Sequence, residues 1–213
     1  MCGALRMSYQ HHIFISHRRS SPDLIRWTKE CFVRPLRAHL SMAVPGSTIF
    51  FDDQIETGAT WPAALAEAHA RSRILVPILH PDYFSSNWCE LEMNLMLERE
   101  RTLGWRTANE PRHLIFPITI NDGDRFPPKI QAIQAPDMSL HANLDMQPGT
   151  PGQTAFTEAI RQWAQQLVPT LLAPPAYDDA WRHIAHDQFQ ETFHIKAGVQ
   201  TQPPVLSPII LPT

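Results

Sequence analysis

Four short apolar runs, separated by helix-like stretches, constrain the fold of this chain more than any other feature. His12–Ile15, Ser47–Phe51, Arg73–Leu79 and His113–Ile120 are each nearly continuous in apolar residues. A strand buried on both faces reads this way, whereas a strand with one wet face alternates. Helix signals lie between the runs. Ser21-Pro22-Asp23 opens one helix, with Leu24, Trp27, Cys31 and Leu36 on its apolar face. Pro35 is expected to bend that helix or end it early. Pro62 starts an alanine-rich helix through Ala70, and a third helix runs from Trp88 to about Leu103. Strands alternating with helices predict an α/β fold: a doubly wound, flavodoxin-like parallel sheet covered on both faces. A weak fifth strand is expected around Met138–His141, before a long amphipathic helix from Thr154 to Leu172. Pro77 in the third run would normally argue for an edge or a bulge, in tension with a central place for that strand.

Such sheets bind ligands beyond the carboxyl ends of their strands, where strand order reverses. Ser16-His17-Arg18, Asp52-Asp53 and the start of the Trp88 helix all follow strand ends. Three separate segments therefore converge on one expected crevice.

The Trp88 helix carries a carboxylate where an apolar residue belongs. At about 100° per residue, Trp88, Leu91 and Leu95 fall together, with Met93 and Met96 extending the arc. Glu92 lands about 40° from Trp88, inside that arc. An inward carboxylate is costly without partners, which makes Glu92 a functional candidate. The alternative is a structural carboxylate satisfied by backbone amides or an arginine. Glu90 lies three residues after Asn87 and has a plainer reading, the second half of a capping box.

With net charge −3, the chain has no basic surplus for nucleic acid or an anionic membrane. No apolar run approaches the roughly 20 residues of a membrane span, and Met1–Gln10 has no signal-peptide core. Cys2, Cys31 and Cys89 are odd in number and far apart, as expected of free thiols in a reducing, cytoplasmic setting. Neither a Gly-x-Gly-x-x-Gly segment nor a P-loop occurs, which disfavours a Rossmann dehydrogenase or an NTPase. His183 and His186 have no third ligand at suitable spacing, so no metal site is expected. Cys89 reads as a small buried filler.

The chain divides into a short arm (1–8), a main domain (9–172) and an extension (173–213). Pro174-Pro175 breaks the preceding helix. A short helix carrying Trp181, Ile184 and Phe189 follows, then a proline-rich apolar tail through Leu211. The extension is expected to pack on the domain away from the Glu92 crevice, or on a partner.

Three segments resemble the Toll/interleukin-1 receptor (TIR) domain family over about Tyr9–Leu172. HIFISHRR is similar to its first strand and the polar turn after it. IFFDDQIETGATW is similar to its second strand and long loop, with Asp52, Gly58 and Trp61. SRILVPILHPDYFSSNWCELE is similar to its third strand, Ser-x-x-Trp-Cys segment and glutamate-bearing helix. Their order and spacing match as well.

Part of that family cleaves NAD+, with a catalytic glutamate four residues after a tryptophan, as in Trp88-x-x-x-Glu92. The resemblance therefore implies an NAD+-cleaving enzyme with NAD+ as substrate and no cofactor, closest to stand-alone bacterial proteins of the Thoeris type in anti-phage defence. It implies Glu92 as the catalytic residue, Trp88 as a flat wall, and Ser16, His17, Arg18 and Asp52 as substrate contacts. For Trp88 a core role, for Arg18 a solvated charge and for Asp52 a loop-capping role stay open. The expected partners are other TIR domains, through the loop Asp52–Trp61, and a separate effector reached by a nucleotide product. The other functional class is a non-catalytic TIR scaffold.

Overall fold

The computed structural model describes residues 8–19, 21–52, 61–121, 123–147 and 149–197. Its sheet is parallel, in the order β2-β1-β3-β4, built from β1 (His11–Ser16), β2 (Ile49–Phe50), β3 (Ser72–Leu79) and β4 (Ile118–Thr119). Strand order reverses between β1 and β3, so the expected crevice lies beyond Ser16 and Leu79. Ile13, Phe14 and Ile15 are all buried, which is why the run does not alternate.

β3 is central despite Pro77, which pairs with Ser16 of β1. Leu75 exchanges hydrogen bonds with Leu114 and Phe116, and Leu79 accepts from Ile120 N–H. Alternate residues of a parallel strand bond to the same side, so the missing N–H of Pro77 falls on the β4 side. There the ladder is only an isolated bridge at Ile115 and two regular pairs from Ile118 on. The proline is tolerated because β4 is interrupted beside it.

The fifth strand does not form. Asp137 makes a single bridge to Thr119. Its Oδ1 then accepts from Ser139 N–H at 2.9 Å, and Ser139–His141 turns into a 3₁₀ segment. A local aspartate turn wins over extension.

The first helix is neither ended nor cleanly broken by Pro35. α1 (Pro22–Trp27), capped by Ser21, passes through a π-helical turn at Thr28–Val33 into α2 (Arg34–Ala43). Arg34 N–H bonds back five residues, to Lys29 O. Pro35 has no N–H for Cys31 O, and Gln153 Nε2 donates to that carbonyl at 3.4 Å. A widened turn thus absorbs the proline.

α3 (Trp61–Ala70) precedes β3, and α4 (Asn87–Thr102) follows it after a 3₁₀ segment, Pro81–Ser85. Short α5 (Pro128–Gln131) follows β4, then α6 (Pro151–Ala164), α7 (Val168–Leu172) and α8 (Ala180–Ala197). α6 packs on α2, and its Phe156 stacks on Trp27 at the end of α1 at 5.2 Å.

α8 packs on α3 and α4, and this corrects the expectation of an extension remote from the crevice. Ala185 and Phe189 are buried in the same core as the strands. Phe189 stacks on Trp88 at 5.9 Å, one helical turn from Glu92. Glu67 of α3 accepts from Arg182 Nε at 2.7 Å and bonds His186 Nε2 at 3.0 Å. Arg99 of α4 donates to Ser72 O at 3.1 Å and to Tyr9 Oη, while Tyr9 Oη donates to Pro175 O at 3.1 Å. Because Arg182 and Glu67 are partly exposed, Arg182→Ala is expected to cost at most about 1 kcal/mol. A denaturant midpoint displaced by clearly more would show that the ion pair outweighs the apolar seam. The apolar tail beyond residue 197 lies outside the described residues. Among the described residues, no helix is long and apolar enough to cross a membrane.

Candidate active site

Ser86 caps α4 by accepting from Cys89 N–H at 3.4 Å. The helix thus starts at Asn87, one residue off the expected capping box. Glu90 is exposed near Lys129, at 3.7 Å from its Nζ. This register still turns Glu92 inward, to 5% exposure. Its Oε2 accepts from Ser16 Oγ at 2.5 Å. Ser16, the last residue of β1, is itself buried, and its Oγ lies 2.6 Å from Tyr83 Oη. Tyr83, in the 3₁₀ segment after β3, also donates to Cys89 O at 3.2 Å. The ends of β1 and β3 and the first turns of α4 thus meet at one carboxylate.

No lysine or arginine among the described residues pairs with Glu92. Burial pushes its pKa up from the usual carboxylate range to about 8; the Ser16 hydrogen bond pulls it down, and the Asp52 charge adds to the rise. Beneath it, His69 of α3 donates Nε2–H to Glu92 O at 3.0 Å. Burial lowers this histidine to about 4, so it is neutral near neutral pH. Burial pushes the Cys89 thiol far up, with the Glu92 charge adding to it. That thiol stays protonated and is no nucleophile.

Glu100, two turns further along α4, shows what a purely structural carboxylate looks like. It is 1% exposed. Arg106 Nε and Nη2 donate to its two oxygens at 2.5 and 2.9 Å, and the backbone N–H groups of Leu114 and Ile115 donate to Oε1 at 2.5 and 3.0 Å. Glu92 has none of these partners. Of two buried acids on one helix, one is saturated and the other is held by a single hydroxyl.

The remaining expected site residues divide. His17 stacks on Phe51 at 4.6 Å, and its Nε2 lies 3.7 Å from Asp52 Oδ1. Arg19 Nη1 donates to Asp52 Oδ2 at 3.1 Å. Asp52 is thus engaged by β1-end residues and reaches Glu92 through its charge. Arg18 turns to Asp82, Nε to Oδ2 at 3.4 Å, in a partly solvated pair. Trp88 is half-buried, with Trp61 edge-on at 4.8 Å and Phe189 stacked against it. One face of its ring thus packs against α8. Residues 53–60, including Gly58 of the proposed assembly loop, lie outside the described residues. His186 bonds Glu67, and His183 lies 3.6 Å from Asp179.

Two contributors were not foreseen, Tyr83 and His69, and neither was the structural role of Glu100. Tyr83 sits within the quoted third segment, but no periodicity marks its hydroxyl as aimed at Ser16. His69 lies in an alanine-rich helix where one buried histidine gives no signal.

The family model described as TIR domain matches residues 13–147, well over half of the chain. No curated protein matches it significantly. Among solved structures, the TIR domain of the Toll-related receptor TRR-2 from Hydra magnipapillata is similar at 15% identity and TM-score 0.48, covering 73% of this chain and 98% of that one. The TIR domains of the activated Roq1 resistosome, which directly recognizes the pathogen effector XopQ, are similar at 16% identity and TM-score 0.37, covering 85% and 98%. The matched stretch runs from within β1 through β4 and includes the turns of α4 that carry Glu92 and Glu100, and the chain belongs to the TIR domain family.

Proposed function

We propose that this chain cleaves the bond between nicotinamide and ribose in NAD+. The observation that carries the reading is Glu92, a buried carboxylate without a cationic partner among the described residues, held by Ser16 at the switch point of the sheet. Nicotinamide in NAD+ is already cationic, so it leaves without a proton donor. One carboxylate then suffices, unlike the carboxylate pair of ordinary glycosidases. Ionised Glu92 accepts hydrogen bonds from ribose hydroxyls and stabilises the positive charge that develops at the anomeric carbon. His17, Arg18 and Asp52 stand at the mouth of the same strand ends, with Arg18 suited to a diphosphate. Trp88 contributes as packing behind the site.

On this reading, water captures the sugar to give ADP-ribose, or an internal nucleophile of the same molecule gives a cyclic product. The biological role we propose is bacterial anti-phage defence, through NAD+ depletion or a nucleotide signal read by a separate effector. Self-association of TIR domains is proposed as the route to a competent site.

The packing of Phe189 on Trp88 favours a second reading, an assembly module without catalysis. One experiment separates them. Purified protein is incubated with NAD+ across pH and over a hundredfold dilution series, and nicotinamide is quantified. The enzyme reading expects release that rises as pH climbs through about 8, where Glu92 ionises, and specific activity that falls on dilution. Absence of nicotinamide at every pH and concentration leaves the module reading.

A further inference from the structure

Tyr83 is fully buried, and the chemistry above gives its hydroxyl no part. Ser16 has one proton and two close oxygen neighbours, Glu92 Oε2 at 2.5 Å and Tyr83 Oη at 2.6 Å. When Glu92 is ionised, Ser16 donates to the carboxylate, and Tyr83 is then the group able to donate to Ser16 Oγ. When Glu92 is protonated, the chain can run the other way. Glu92 donates to Ser16, Ser16 to Tyr83, and Tyr83 to Cys89 O at 3.2 Å. Each arrangement satisfies every proton in the row, and successive hydroxyls polarise one another. The other titratable and charged groups around this row are Asp52 after β2, His17 beside it, Arg18 after β1, Cys89 on α4 and neutral His69 on α3.

We propose that Tyr83 is a positioning residue for Glu92, acting through Ser16: its hydroxyl fixes the serine so that the serine's proton meets the ionised carboxylate. The proposal deepens the NAD+-cleaving reading and rests on it for its catalytic consequence. Without the tyrosine hydroxyl, the serine rotor is free and the carboxylate loses part of its stabilisation, so Glu92 ionises at higher pH.

The test is Tyr83→Phe in the full chain, followed in two ways. In nicotinamide release, KM is expected to hold while kcat falls about three- to tenfold below the acid limb. The limb itself moves to higher pH, and activity recovers above it. In unfolding free energy against pH, the transition belonging to Glu92, identified by its loss in Glu92→Gln, is expected to move in the same direction. A purely structural tyrosine would lower stability at all pH values and move neither limb. A folded Tyr83→Phe protein with both transitions unmoved overturns the proposal. Should Tyr83→Phe not fold, Ser16→Ala cuts the same row at its other link, and an unmoved Glu92 transition there overturns it equally. If the wild-type chain releases no nicotinamide, the NAD+ reading falls, while the unfolding titration still decides the role of Tyr83.

Discussion

Glu92→Gln is expected to abolish nicotinamide release and, at alkaline pH, to make the protein more stable. Losing a group that stabilises developing charge costs on the order of 10²–10³ in rate. Glutamine keeps the size and still accepts from Ser16, so the fold has no reason to change. The stability gain follows from the sign of the pKa displacement. Burial raises folded Glu92 to about 8, above its ordinary value of 4.5. The folded state therefore holds a proton that the unfolded chain releases. Its contribution is fully present below the unfolded pKa and is lost as pH rises through about 8. Glutamine has no proton to lose, so the melting temperatures of wild type and variant diverge with increasing pH, by the equivalent of a few kcal/mol. Glu90→Gln, on the exposed arc beside Lys129, is the control and keeps both activity and stability. A Glu92→Gln protein that still releases nicotinamide at the wild-type rate ends the enzyme reading. One that is less stable at high pH shows that the carboxylate is structural after all.

Glu100→Ala is expected to do the reverse: a large loss of stability, on the order of 3–5 kcal/mol, and no specific effect on chemistry. The substitution leaves the partly buried Arg106 guanidinium without its carboxylate and strips the N–H groups of Leu114 and Ile115 of their acceptor. Arg106 already sits at φ 57°, in the left-handed region. Without the carboxylate that fork loses the contact that holds it there. Urea midpoints measure the loss, and activity per folded molecule at low temperature measures the independence from catalysis. A destabilisation below about 1 kcal/mol would mean that water satisfies these groups and that Glu100 is dispensable.

These two acids show what the sequence makes legible. Period alone turned Glu92 inward, because its neighbours Trp88, Leu91 and Leu95 define the apolar arc at short range. Glu100 is as deeply buried, yet its partners come from a loop whose shape depends on a left-handed arginine, and no composition signal announces that. The strand runs were readable because strands buried on both faces are apolar throughout. The tension at Pro77 resolves for a local reason: edge placement is the usual tolerance for a strand proline, whereas here the interruption lies in β4. The fifth strand failed because Asp137 bonds its own neighbour Ser139. The convergence of Ser16 and Glu92 was readable from topology, since both follow strand ends at the reversal of order. For Arg18 and Trp88 the alternatives of a solvated charge and a core role stayed open, because adjacency in sequence does not say that Asp82 and Phe189 lie beside them.

The long-range ties of α8 and the segment leading into it set the order in which this chain can finish folding. Tyr9 meets Pro175 across 166 residues, and Glu67 meets Arg182 and His186 across 115 and 119. Phe189 completes a core whose last strand pairs at Thr119. A chain emerging in order from the ribosome therefore carries His69 and Trp88 uncovered until the residues of α8 arrive. Loop entropy is spent on these distant contacts before they return any stability, which makes the final closure slow. During that interval an exposed aromatic seam lies beside unfinished parallel strands, the situation in which nascent chains stick to one another. Cold, slow synthesis should then raise the soluble yield of the full chain, and stopping synthesis short of residue 189 should leave a collapsed, aggregating product.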